Sequence, residues 1–251
     1  MAIKGRKSTL LIITAIFIFT LILNFTLTEF FMKNPESIIE NYLKNFRPVA
    51  PYWIMATDEI HYEYLANSII SGHGFALPDE FSKLRPTMIR EPVYPFFLAA
   101  VYKMSGHSFK MVFFIQKILL ALTAVFIFLI LTNMLDRHKY KIAISAAMFS
   151  AVNLDLFYYS NLLMSEVLAT FLLMSTTYCF VKAIKNNKFF FYALSGLLLG
   201  TLVLCKAVFC FLFILFALLI VYFHKKIALK YIAIFILSYS LIVTPWITRN
   251  Y

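Results

Sequence analysis

An all-α bundle of about seven membrane-crossing helices is the fold class this sequence predicts, and three observations carry it. Hydrophobic residues make up 62% of the 251 positions and charged residues 14%, with a mean hydropathy of +0.81. Soluble domains sit near half apolar and a quarter charged, so a soluble globular protein is excluded. The apolar residues gather into seven runs, at about 8–30, 110–134, 141–157, 162–183, 189–205, 207–223 and 227–244. Lipid offers no hydrogen-bond partner to a free peptide group, so runs of this length must be helical. The third observation is charge placement. The formal charge is +11, which in a soluble chain would suggest nucleic acid as a partner. Here the basic residues fall between the apolar runs, where membrane orientation explains them.

Taken in order, the first run follows Lys4, Arg6 and Lys7, and Asn24-Phe25-Thr26-Leu27 offers no small-residue cleavage site. It reads as an uncleaved signal anchor. With the N-terminus inside, alternate connections hold Arg137/Lys139/Lys141, Lys182/Lys185/Lys188 and Lys225/Lys226/Lys230, whereas the short opposite turns hold only Lys206 and Arg249. The long segment 31–109 is then the first external loop. It is too apolar and short for an independent domain, and its pieces are predicted to be amphipathic helices on the membrane surface. Asp58, Tyr62, Leu65, Ala66 and Ile69 share one helical face, with Gly72 as a stop. A second such helix opens at Arg90-Glu91-Pro92-Val93-Tyr94-Pro95 and is expected to run into the second span. Gly196-x-x-x-Gly200 suits close helix packing. Cys179, Cys205 and Cys210 lack metal or redox spacing and read as small packing residues.

The chemistry-bearing residues collect on the external side. Asp58-Glu59 leads them, although acidic residues in a first helical turn also simply complement the helix dipole. Asp155 and Glu166 flank the turn between the third and fourth runs, and Glu166 lies in the first turn of its span, where a carboxylate needs a partner or a task. Lys206, Arg249, Arg85, Arg90 and Lys117 share that side. Acids and bases together above a bundle suit a reaction on a lipid phosphate. His61, His73 and His107 form no metal-ligand pattern. No cofactor is expected, and a requirement for a divalent metal stays open.

The order Asp58-Glu59…Tyr62…Leu65-Ala66…Gly72-His73-Gly74-Phe75, followed by Arg90-Glu91-Pro92-Val93-Tyr94-Pro95, resembles the first external loop of GT-C membrane glycosyltransferases. These include the dolichyl-phosphate-mannose–protein mannosyltransferases and the bacterial aminoarabinose transferases. Ser165-Glu166-Val167-Leu168, Gly196-x-x-x-Gly200…Lys206 and Pro245-Trp246-Ile247-Thr248-Arg249-Asn250-Tyr251 resemble later landmarks in the same order.

The resemblance implies a single GT-C-like transmembrane domain over 1–251. It implies sugar transfer, with inversion, from a polyprenyl-phosphate donor to an acceptor glycan, lipid or protein. Membrane lipids and no nucleic acid are the other expected surroundings. The setting it implies is a bacterial inner (plasma) membrane with the active face outside. Asp58 would be the base and Glu59 would orient acceptor or loop. Arg90 and Lys206 would offset charge on the leaving phosphate, and Glu166 would hold a cation or sugar hydroxyl, with Glu91 and Tyr94 beside them. Arg90 serves equally as an anchor to lipid headgroups. Two departures stand out. Ala207 follows Lys206 where such proteins often have proline, and members commonly continue well past the Pro245 landmark, so a truncated, split or minimal form is expected. A non-catalytic scaffold or a transporter is the alternative.

Overall fold

The computed structural model describes residues 2–33, 57–79, 83–225 and 228–250. Most of them are helical, and the architecture is an all-α polytopic bundle. Helix α1 (Ala2–Lys33) is followed by α2 (Thr57–Ile70), a small hairpin of β1 (Ala76–Pro78) and β2 (Leu84–Pro86), and α3 (Val93–Ser105). Then come α4 (Phe109–Met134), α5 (Lys139–Ala151), the short α6 (Leu154–Tyr159), α7 (Glu166–Asn186) and α8 (Phe189–Cys205). A 3₁₀ turn (Ala207–Phe211) leads into α9 (Leu212–His224), and α10 (Ala228–Asn250) completes the order.

Among the described residues, five helical segments are long and apolar enough to cross a membrane: Ser8–Phe30, Phe109–Met134, Glu166–Asn186, Ala207–His224 and Ala228–Asn250. Helix α8 is a shorter apolar helix. The expected run at 141–157 is divided instead. Asn153 leaves the helical conformation and its side chain accepts the Leu156 N–H at 2.8 Å, so it caps a new helix. Helix α5 therefore has 13 residues, about 20 Å at 1.5 Å per residue, less than the hydrocarbon thickness.

Helices α4, α7, α8 and α10 pack side by side in that order, with α1 and α5 against α4. The largest core cluster joins Leu172 and Phe180 of α7, Tyr192, Leu199 and Leu202 of α8, and Phe235 of α10. Contact between α8 and α10 is closest at the two glycines. A Cβ at Gly196 would lie 2.5 Å from the Phe235 carbonyl oxygen, and one at Gly200 would lie 2.9 Å from Ile242 Cβ. The expected packing role of this pair is what the structure shows.

The described residues between α1 and α4, 57–79 and 83–108, form a rim over one end of the bundle. Tyr62, Leu65 and Ala66 of α2 are buried and Ile69 is half-buried, as the spacing predicted. Gly72 takes φ +80, and the His73 N–H reaches back to the Ser68 carbonyl at 3.0 Å, which ends the helix. The hairpin was not anticipated. It pairs Ala76 with Pro86 and Pro78 with Leu84, and Asp79 closes its turn by accepting the Lys83 N–H at 2.9 Å. Helix α3 does not continue into α4, because Gly106 in the left-handed region stops it and Ser108 caps α4. Of the amphipathic pieces expected in the external loop, those at 34–56 lie outside the described residues.

Proline 245 sits inside α10 rather than opening a loop. Tertiary contacts hold the turn beyond it. Arg249 donates to the Thr87 carbonyl at 3.0 Å and the Phe75 carbonyl at 2.9 Å, and its guanidinium lies over the Trp246 ring. At the other end of the bundle, the Lys185 ammonium donates to the Asn133 carbonyl at 3.0 Å. The α4–α5 and α7–α8 connections therefore share the end opposite the rim.

Candidate active site

The rim brings four of the residues singled out from sequence into two acid–base pairs. Asp58, in the first turn of α2, accepts a charge-assisted hydrogen bond from Arg90, just before α3. Arg90 also engages the His61 Nδ1, through Nε at 3.3 Å and Nη2 at 3.2 Å. An imidazole nitrogen that accepts from a guanidinium must be unprotonated. In keeping with this, burial and then the Arg90 charge lower the His61 pKa, with Asp58 opposing them. The second pair is Lys206 with Glu166, at 2.7 Å. Lys206 sits in the extended link between α8 and the 3₁₀ turn, and Glu166 begins α7.

Glu91 bridges the two pairs. It follows Arg90 in the chain, and its Oε1 accepts the Ala207 N–H at 3.2 Å. Proline at 207 would have no N–H to give, so the departure from the expected Lys-Pro pattern is what allows this bond. Tyr62 lies between the groups. Burial pushes the pKa of its hydroxyl up to about 12, opposed by the neighbouring Ser165, with Glu91, Arg90 and Asp58 all close enough to contribute. Asp58 has no direct contact with Glu166 or Lys206 among the described residues. The two pairs are linked through Glu91, which follows Arg90 and reaches the residue after Lys206.

Glu59 points the other way. It is 3% exposed, and its Oε1 accepts the Leu163 N–H at 3.0 Å, which fixes the turn at 160–165 just ahead of Glu166. Tyr94 is fully enclosed, its ring 4.8 Å from Tyr62 and its hydroxyl donating to Gln116 Oε1 at 2.9 Å. It supports the site from behind and presents no surface to a substrate. One Glu166 oxygen, Oε2, is buried and has no hydrogen-bond partner among the described residues. Asp155 is exposed in the first turn of α6.

Three contributors were not anticipated. His61 orients Arg90, Gln116 supports Tyr94, and Asn161 accepts from the buried Lys117 ammonium at 2.7 Å. The available signal was the polar pair Gln116-Lys117 inside a 26-residue apolar helix, since such residues in a span are rarely without a task. Among the described residues no group of three or more His, Cys, Asp or Glu side chains is placed to hold a metal ion.

The bundle thus carries two carboxylate–cation pairs at one end. A sequence model of the dolichyl-phosphate-mannose-protein mannosyltransferase family matches residues 85–248, which include Arg90, Glu91, Tyr94, Glu166 and Lys206. The chain belongs to that family. It is an integral multi-pass membrane protein of the GT-C glycosyltransferase type. No curated protein and no solved structure matched it.

Proposed function

We propose that this protein transfers a sugar from a polyprenyl-phosphate donor to an acceptor hydroxyl at the outer membrane face, with inversion at the anomeric carbon. The observation that carries the reading is the joining of Asp58–Arg90 and Glu166–Lys206 at one rim through Glu91. In this scheme Asp58 Oδ2, which takes no hydrogen bond among the described residues, accepts the proton of the acceptor hydroxyl. The acceptor oxygen attacks the anomeric carbon from the side opposite the phosphate. The sugar–phosphate bond breaks, and polyprenyl phosphate leaves with the electron pair. No acid is needed to protonate this leaving group, unlike glycoside hydrolysis with its two carboxylates.

Arg90 and Lys206 offset the charge on the departing phosphate. Both have donors to spare, because an ammonium has three and a guanidinium five. Glu166 Oε2, without a hydrogen-bond partner among the described residues, lies beside Lys206 and suits a sugar hydroxyl. Glu59 holds the 160–165 turn, and Glu91 keeps the two halves in register. With two fixed cations at the leaving group, the scheme requires no cofactor. A bacterial inner membrane accommodates this chemistry, and the acceptor is a glycan, a lipid or a protein.

The test is transfer of labelled sugar from a purified polyprenyl-phosphate donor by the protein in nanodiscs, with the anomeric configuration of the product read by NMR. Inverted product is expected; no transfer, or retained configuration, would overturn the proposal. The face is tested separately. In a background without native cysteines, Lys83→Cys should react with an impermeant thiol reagent in intact cells and Asn186→Cys should not. The reverse labelling would place the rim inside.

A further inference from the structure

Gln116 is fully buried on α4, two turns from the rim, and every polar atom of its side chain is engaged. Its Nε2 donates to the Ser160 carbonyl at 3.2 Å and the Leu162 carbonyl at 2.8 Å. Two carbonyl acceptors require both amide hydrogens. The amide oxygen is thereby turned toward Tyr94, whose hydroxyl must be the donor, at 2.9 Å. One side chain thus grips two pieces of backbone and one helix. The backbone is the 160–165 turn, whose Leu163 N–H is bound by Glu59 and whose far end starts α7 at Glu166. The helix is α3, whose approach carries Arg90 and Glu91.

We propose that Gln116 is a positioning residue that sets the 160–165 turn against the start of α3, so that Glu166–Lys206 and Asp58–Arg90 stay in register across the site. This rests on the transfer reaction proposed above. A neighbouring bond strengthens the same link, since Lys117 donates to Asn161 in that turn. Buried amides in a span are expensive unless every group is paired. No apolar residue of the same length could satisfy the three partners of Gln116, and each would be left unpaired away from water.

The assignment is tested on the full chain in nanodiscs by hydrogen exchange and steady-state transfer. Gln116→Met keeps length and apolar volume but removes all three bonds. Exchange across 160–165 should rise about tenfold or more, with the centres of α4, α7 and α8 unchanged. The kcat for transfer should fall by about tenfold while the donor KM changes less than threefold, because the cations that hold the phosphate remain. Gln116→Asn keeps the amide but shortens its reach, and should recover part of both effects. If Gln116→Met gives no folded protein, Gln116→Asn decides, with a roughly threefold rise confined to 160–165 expected. Unchanged exchange in that segment, or a rise spread evenly over all helices, overturns the assignment. Absence of transfer in the wild type would instead overturn the proposed reaction, while the exchange pattern still decides the role of Gln116.

Discussion

The α8–α10 seam and the rim solve opposite problems with the same bundle. At the seam, Gly196 and Gly200 remove side chains so that backbones meet, and the contact tolerates no added atom. At the rim, charged side chains from α2, the approach to α3, the start of α7 and the α8 exit form pairs, and among the described residues Glu166 Oε2 has no hydrogen-bond partner. Close packing fixes the scaffold; incomplete pairing leaves acceptors and donors for a ligand. Substitutions at the two regions should therefore fail in different ways, the seam through folding and the rim through turnover.

The largest effect is expected at the seam. Gly196→Val places methyls where even a Cβ would overlap the Phe235 carbonyl, and such overpacking costs about 1–3 kcal/mol or more. Recoverable folded protein should be largely lost, as followed by size exclusion and thermal unfolding. A well-folded Gly196→Val protein would show that the seam can open without penalty.

At the rim, Lys206→Ala should leave the unfolding midpoint closer to wild type than Gly196→Val does. Its donor KM should rise by about tenfold to a hundredfold, because a cation at the leaving phosphate is gone. An unchanged kcat/KM for the donor would remove Lys206 from the proposed role at the leaving phosphate.

A pH series sharpens the rim further. The folded-state pKa of His61 is lowered, so the unfolded chain binds the extra proton first. Stability from this group is complete above the unfolded value of about 6.5 and is lost as pH falls through it toward the folded pKa. Unfolding midpoints should therefore decline on the acid side below about 6.5, and His61→Gln should flatten that limb. An unchanged slope in His61→Gln would assign the decline elsewhere.

The smallest effect belongs to Ala207→Pro, which deletes one hydrogen bond to Glu91. A single such bond contributes about 0.5–1.5 kcal/mol net, so a roughly threefold to tenfold loss of turnover is expected. No loss at all would remove Glu91 as the bridge between the two pairs.

The helices were legible because lipid leaves backbone groups no alternative, and Gly196-x-x-x-Gly200 was legible because only small residues allow that approach. The division at Asn153 was harder to see, since one capping side chain outweighed the apolar pattern on either side of it. Continuation of α10 through Pro245 depends on Arg249 reaching Thr87 and Phe75, contacts more than 160 positions apart in sequence. At the site, residue types and common side could be read, and Arg90, Glu166 and Lys206 are together at the rim. The pairings could not be read, because they depend on how α2 and α3 dock. Glu59 and Tyr94 sat in the same motifs as their neighbours, yet face the interior and serve the supporting structure.

The most direct measurement is turnover in Asp58→Asn with donor binding followed in the same preparation. Asn preserves shape and can still meet Arg90, but it accepts no proton at neutral pH. Transfer of labelled sugar should fall by about 10²–10⁴-fold, with donor affinity and unfolding midpoint near wild type. Near-wild-type turnover in Asp58→Asn would remove the base and contradict the assignment of the rim as a catalytic site.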